Sequence, residues 1–566
     1  MTSSSSSSSS AKSMATSTAE APLKKNKPSS RPHRVLVLQG GGALAAYEAG
    51  VFASLAERLS KKDKEDGRTG NMFDVVAGTS GGAINAALIV DHVVRNKTWD
   101  GVAKVPLAFW RATASDIALW PNNVFFKESW KSWEKAREYG IEFWKGIAES
   151  DMLKPFSSQR EQAPFLPAYF LWPDTWGPLA SEEAARRYWS WYLYSFGLFG
   201  IPGVLTPAIY QPDFKFGWNP SNYLVRYGNH PIVQTIKKFW NFERDRVKTT
   251  EDEPRLMFVS VDIRDGMTAT FDSYPKKGND DDDNKLKTVY EHELPNGKRE
   301  RHTIYYQDGL GMEHLLTSMS SALRYVPPSL EAVTETISQE EVNGETKDKV
   351  LSSKKEARFF WDGFYLSNTP LREVLQAHRD YWSPKKKNDD GSSPGAGGPH
   401  ERRTLKEIIE SSVPDLEVYI VNMFPTLDKT DGYPRDPDAV NNRVNDVVYH
   451  DRTQFDEKIA GIVSDYVGLA KELAKIATND SSDRARTEKK ILQLLGERTL
   501  SKNRGGKQRT FDHLLDGRFR ITKLVRIELS DDDRSDISGK VFDFSSPTIE
   551  YLIKQGMEDA RRLPSI

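Results

Sequence analysis

Three short constellations in the chain combine residue types that could transfer an acyl group. The first is Gly78-Thr79-Ser80-Gly81-Gly82. A serine hydroxyl becomes a usable nucleophile when a sharp strand-to-helix turn lifts it clear of its neighbours. Glycines two residues to either side remove the Cβ atoms that would collide there. The second is Gly40-Gly41-Gly42, whose amides can converge on one oxygen with no side chain in the way, as an oxyanion hole requires. The third is Asp362-Gly363, which follows Arg358-Phe359-Phe360-Trp361. A carboxylate at the end of such an apolar strand is shielded from water and well placed to accept the serine proton. Of the eight Asp-Gly pairs in the chain, most, such as Asp66-Gly67 and Asp390-Gly391, lie in polar surroundings and read as turns.

Each constellation also has a plainer reading. Ser80 alone could simply cap the following helix. Gly40-x-Gly42-x-x-Ala45 formally fits a dinucleotide-binding turn, but the polar stretch 61–69 stands where that motif expects an acidic residue ending a second strand. The ten histidines are scattered and offer no obvious base; His33 precedes the first strand instead of following its carboxyl end. His292-Glu293 lacks the second histidine of a zinc-binding helix motif. The absence of cysteine excludes disulfides, thiolate metal sites and a cysteine nucleophile. No metal or organic cofactor is implied by these patterns.

The elements that must position these groups follow from hydrophobic period. A buried strand over 34–38, the glycine run and a helix over 43–58 form one unit. A β-rich run over 73–77, the serine turn and a helix over 83–94 form the next. Two such units in succession imply a parallel sheet. Further strands are expected over 256–263, 357–361 and 416–423, with 521–529 at an edge, and helices over 312–323, 456–476 and 547–562. Residues 107–245 interrupt this alternation and hold eleven of the 14 tryptophans. Their densest part, 188–199, suits either a lid or membrane-facing surface, or a second aromatic core. The run Asp280 to Asp283 reads as solvated, lacking the spaced ligands and turn glycine of a calcium loop.

Composition narrows the partners. With 79 basic and 80 acidic residues the net charge is -1, so no global field favours nucleic acid. No run of 18 apolar residues is present, and a spanning helix is not expected. The first 32 residues, with serines from Ser3 to Ser10, cannot bury a core and lack a secretory apolar segment. They read as a disordered cytosolic tail, with a transit peptide as the alternative.

In order and in residues, Gly40-Gly41-Gly42-Ala43, Gly78-Thr79-Ser80-Gly81-Gly82 and Asp362-Gly363 with Ser367-Asn368-Thr369-Pro370-Leu371 resemble the three motifs of patatin-like phospholipases. The resemblance covers 35–107 and 250–430. Phe542-Asp543-Phe544-Ser545-Ser546 and the helix after it resemble the carboxyl end of long bacterial-type members. It implies an α/β fold of three layers, a central and mostly parallel sheet flanked by helices. The core would span 33–430, with the aromatic insertion at 107–245 and a flexible loop at 384–403, and 431–566 would be a helical extension completing it. It further implies a Ser80–Asp362 dyad without histidine, with Gly78, Thr79, Gly81 and Gly82 as nucleophile elbow and the Gly40, Gly41 and Gly42 amides as oxyanion hole. The implied activity is hydrolysis of acyl esters in membrane lipids, of phospholipase A or lysophospholipase type, with peripheral membrane contact and no nucleic acid; oligomeric state is not implied. A catalytically silent lipid-binding protein and a thioesterase or general esterase are the rivals. Two departures stand out: Leu44 and Ala45 occupy positions where the family often has a basic residue, and Phe364 stands where Gly or Ala is common, which would narrow the pocket. Ser318, Ser320 and Ser321, before Tyr325-Val326-Pro327-Pro328, resemble the helix and proline turn that shape the family's site, with helix packing as their plainer role.

Overall fold

In the computed structural model of the chain, all six residues of β1 (His33–Leu38) are buried, the signature of a strand covered on both faces. The structure describes residues 31–114, 204–207, 227–241, 244–275, 285–322, 325–342, 345–382, 405, 413–425, 434, 437–479, 483–502, 508–511, 519–529 and 537–564. The serine-rich tail to residue 30, the aromatic stretch 188–199, the aspartate run 280–283 and the loop 384–403 lie outside the described residues.

After β1 come α1 (Ala45–Glu65), β2 (Val75–Gly78), α2 (Gly81–Asn96), α3 (Lys104–Thr113) and α4 (His230–Lys237). Then follow β3 (Arg255–Asp262), β4 (Met267–Asp272), β5 (Lys287–Glu293), β6 (Arg299–Tyr305), α5 (Met312–Met319), β7 (Ser329–Val342), β8 (Glu345–Asp362) and α6 (Leu371–Trp382). The last elements are β9 (Leu416–Asn422), α7 (Pro437–Tyr449), α8 (Thr453–Asn479), α9 (Arg484–Leu495), β10 (Ile521–Glu528) and α10 (Ser546–Arg562). One sheet of ten strands runs β10-β9-β1-β2-β3-β8-β7-β6-β5, with β4 paired to β3 off this path. From β10 to β3 every pairing is parallel; from β3 onward every pairing is antiparallel.

The parallel half matches the expected αβ units and places 521–528 at the edge. The antiparallel wing goes beyond the expected strands. β5 and β6 are joined by a hairpin at Asn296-Gly297, where Gly297 has φ +74°, a conformation that suits glycine. β4 alternates partly buried and buried residues, and β8 runs back to Glu345, well before the apolar residues that announce it.

Alternation along β1 feeds two cores. Leu36 and Leu38 face α1, α2 and α10, where Tyr47, Leu55 and Ile553 are buried. Val35 and Val37 face the opposite layer with Val418, Ile420 and Leu371 and Val374 of α6. The three-layer arrangement of helices on a mixed sheet with parallel central strands is therefore present. α1 and α10 cross without side chains between them: a Cβ on Gly50 would stand 2.1 Å from Ile553 O, and one on Gly556 2.1 Å from Tyr47 O.

The edge of β3 explains how distant segments meet. β4 occupies one edge along Met257–Asp262, so β2 and β8 must share the other. β2 pairs as far as Gly78 opposite Phe258. β8 arrives from the opposite direction and ends with Asp362 opposite Ser260. Two strands thus stop head to head on one neighbour, which brings residues 80 and 362 together.

Candidate active site

The turn at Ser80 is forced by its glycines. Ser80 has φ 53° and ψ −120°, a region that side chains rarely occupy and that holds its hydroxyl outward. A Cβ on Gly78 would lie 2.3 Å from Gly82 O, and one on Gly82 2.6 Å from Leu38 O. Thr79 N–H donates to Leu38 O at 3.2 Å and Gly82 N–H to Thr79 O at 2.9 Å, locking the elbow between β1 and α2. Thr79 Oγ1 donates to Ser367 O at 2.9 Å, tying the elbow to the loop after Asp362.

Asp362 is 2% exposed. Its carboxylate accepts from Phe364 N–H at 3.1 Å, and the Ser80 side chain lines the same pocket beside it. Burial pushes its pKa up to about 7, and the Ser80 side chain and the Phe364 N–H pull it back only in part. Such a value suits a general base at neutral pH. A Cβ on Gly363 would meet Val259 O at 2.3 Å, so glycine is required where β8 turns away from β3.

The serines before the proline turn do more than pack a helix. Ser80 N–H donates to Ser318 Oγ at 3.2 Å, and Ser318 Oγ donates to Val259 O at 2.6 Å. Asp362 N–H donates to Ser320 O at 2.9 Å. One short segment at the end of α5 therefore holds the backbone of both residues. Gln39, which sequence reasoning passed over, is the second organiser. Its Nε2 donates to Thr369 Oγ1 and Tyr449 O at 3.1 and 3.0 Å, and its Oε1 accepts from Met423 and Phe424 N–H at 2.6 and 3.2 Å. A polar residue between a buried strand and a glycine run was the available signal.

The three loop glycines differ in what they contribute. Gly40 N–H donates to Asn368 O at 3.1 Å. Its missing side chain matters more, because a Cβ there would lie 2.5 Å from Asn368 Oδ1 and 3.2 Å from Ser80 Cβ. Gly42 has φ +55°, and a Cβ on it would meet Val541 O at 2.3 Å. The segment Lys540–Phe542 thus closes over the loop from the far end of the chain.

Beside Ser80 and Asp362 opens a cavity of about 490 Å³, walled by Ile84, Trp110, Leu205, Ile232, Met319 and Phe544 among others. Phe364 and Tyr449 meet edge to face at 4.7 Å in its wall, so the phenyl ring at the unusual position does take up pocket space. No histidine, lysine or arginine among the described residues lines it. His33 lies at the other end of β1, packed on His378 and Trp382. Leu205 and Ile232 belong to the insertion, so part of it faces the cavity. Trp110 and Trp240 are fully buried, their indole N–H groups donating to Asn85 Oδ1 at 2.8 Å and Asp245 O at 2.7 Å. The described margins of the insertion thus supply both core and cavity wall. Of the acidic and histidine clusters in the described residues, one, of Asp265, His292, Glu300 and His302, is compact enough to hold a metal ion, and it lies apart from this cavity.

Among known protein families, the patatin-like phospholipase model matches residues 36–375, more than half of the chain. Patatin-like protein 1 of Arabidopsis thaliana is 40% identical over 74 residues, which cover 12% of this chain and 18% of that protein. The match thus spans less than a fifth of the relative's length. The crystal structure of VipD from Legionella pneumophila is similar at a TM-score of 0.25 and 10% identity over 94% of this chain and 67% of that one, too slight a likeness to argue from.

Proposed function

The chain belongs to the patatin-like phospholipase family, and on that premise we propose that it is a serine lipid acyl hydrolase using a Ser80–Asp362 dyad. The observation that carries this reading is the buried Asp362 carboxyl, brought beside Ser80 where two strands end head to head, at the edge of an apolar cavity. Asp362 takes the hydroxyl proton as Ser80 Oγ attacks the ester carbonyl. The Gly41 and Gly42 amides, with the Gly81 amide at the first turn of α2, receive the oxyanion; each such donor is worth roughly 10²–10³ in rate. Gly40 contributes by leaving room. The alcohol or lysolipid departs with the proton from Asp362, and water, activated by the same carboxylate, releases the fatty acid from the acyl-enzyme.

The acyl chain occupies the apolar cavity, and the phosphate of a phospholipid would have to lie beyond the cationless wall described above. The substrate class we propose is acyl esters of membrane lipids, reached from a cytoplasmic and peripheral position. Among the described residues, no helix is long and apolar enough to cross a membrane. The decisive experiment is mass-spectrometric product analysis after incubation with a mixed lipid extract, comparing the chain with Ser80→Ala. Free fatty acid and lysolipid formed by the first alone support the reading. Equal products from both would sink it, and labelling of Ser80 by a fluorophosphonate without lipid products would move the substrate to thioesters or other soluble esters.

A further inference from the structure

We propose that Asp265, His292, Glu300 and His302 bind a divalent transition metal of the zinc class, at the place where the antiparallel wing folds back onto β3. One donor atom from each residue lies within 4.8 Å of the others. Asp265 is in the turn between β3 and β4. His292 and Glu300 are directly opposite one another on β5 and β6, and His302 stands two residues along on the same face. Local spacing in the sequence could not reveal the set, because three separate segments assemble it.

The hydrogen bonds around His302 argue for a cation. His302 is fully buried, and its Nδ1 lies 2.9 Å from Thr334 Oγ1. That hydroxyl donates its own hydrogen to Glu356 Oε1 at 2.8 Å, so it receives the Nδ1 hydrogen and leaves Nε2 as the lone-pair end of the neutral ring. Nε2 faces Asp265 Oδ2 at 2.8 Å yet makes no hydrogen bond to it. His292 Nδ1, also buried without a hydrogen-bond partner among the described residues, stands 3.7 Å from the same oxygen. Two buried imidazole nitrogens thus face one carboxylate oxygen with no hydrogen bond made by either, an arrangement that a bound metal ion would satisfy. The His302–Thr334–Glu356 chain is the kind of outer support that fixes a ligand's tautomer.

Arg358 is the cation that faces this cluster from β8. It donates to both oxygens of Asp262 at 2.8 and 2.9 Å and also contacts Asp265 Oδ2. Against this one guanidinium stand Asp262, Asp265 and Glu300, so negative charge remains for a dication. Two imidazoles and two carboxylates suit Zn²⁺ and its neighbours. At about 2.0–2.1 Å from the ion, tetrahedral donors lie roughly 3.3 Å apart, a contraction that the partly exposed His292 and Glu300 can supply by side-chain rotation. A bound ion would cross-link the β3–β4 turn to the β5–β6 hairpin.

The test uses the full chain, stripped with a chelator and titrated with ZnCl₂ by calorimetry, with thermal unfolding alongside. One equivalent is expected to bind and to raise Tm, and Co²⁺ should develop the visible bands of a tetrahedral site. His292→Gln and Glu300→Gln, both at partly exposed positions, should each weaken Zn²⁺ binding at least tenfold and leave the metal-free Tm and the esterase rate near those of the parent. Absence of binding, or binding unchanged in both variants, overturns the proposal. Because the readout is binding and not ester hydrolysis, its failure is distinct from failure of the acyl hydrolase reading.

Discussion

Asp262 and Asp362 stand at opposite ends of the short seam that joins β3 to β8, Asp262 facing Phe360 and Asp362 facing Ser260. Both are buried, 0% and 2% exposed. Asp262 is enclosed by partners: Arg358 forks onto both its oxygens, Tyr290 donates to Oδ2 at 2.5 Å, and Arg264 N–H donates to Oδ1 at 2.9 Å. Asp362 accepts from one backbone N–H with the Ser80 side chain beside it, and no cation contributes to its pKa. The same residue type on the same pair of strands is thus fully partnered in one place and left with a single backbone donor and a neighbouring serine in the other. What separates them is the supply of donors, because an unpaired buried carboxylate favours its protonated form and so seeks a proton from its neighbour.

The comparison can be broken at either end. The largest effect is expected at the reactive end: Ser80→Ala and Asp362→Asn should each lower ester turnover roughly 10⁴-fold or more, and the double variant should be little worse than either. A soluble chromogenic ester measures this, and near-normal turnover in Asp362→Asn would place the base elsewhere. At the structural end, Arg358→Ala strands Asp262 in the interior and should cost about 3–5 kcal/mol in urea unfolding. A loss below 1 kcal/mol would show that Asp262 does not depend on its guanidinium.

A subtler outcome concerns stability against pH. The folded pKa of Asp362, about 7, lies above the ordinary aspartate value of 3.8. The native state therefore holds this proton where the unfolded chain has released it, and stability falls as pH rises from about 4 to about 7. Asp362→Asn should remove that loss, and at pH 8 gain on the order of 2–4 kcal/mol over the parent relative to their difference at pH 4. Over the same window kcat/KM of the parent should fall about tenfold per unit as pH drops below 7; a profile flat down to pH 5 contradicts the shifted carboxyl. The smallest effect belongs to Ser318→Ala, which frees the Ser80 N–H. A loss of about 1 kcal/mol in stability and about tenfold in kcat with KM little changed would separate positioning from plain packing, whereas unchanged kcat would leave Ser318 as helix filling.

β1 and β2 were legible because each is a short apolar run just ahead of a glycine turn, 35–38 before Gly40 and 75–77 before Gly78. The turn at Ser80 was legible for the same reason, and Asp362 because it ends an apolar run. The wing was not. Met267–Asp272 carries threonines, and β8 opens with Glu345-Thr346-Lys347-Asp348-Lys349, so its strands are held by cross-strand pairing that no local window contains. The helix after the glycine run was expected to end near 58 but continues to Glu65, where Lys62 and Lys64 favour the last turn. Gln39 escaped because its partners lie hundreds of residues away, and Ser318, singled out by resemblance, showed its bond to the Ser80 N–H only in the structure. The individual roles of the loop glycines needed coordinates, since only they show that the Gly40 N–H is engaged by Asn368.

The close crossing of α1 and α10 has a consequence in time. Tyr47 OH donates to Asp559 Oδ2 at 3.0 Å across 512 positions of sequence. A ribosome adding about 5–20 residues per second needs roughly 25–100 s to deliver the second partner after the first. Throughout that interval the glycine-notched, apolar flank of α1 waits for α10 to cover it. A translation pause near residue 546 would thus be felt at α1.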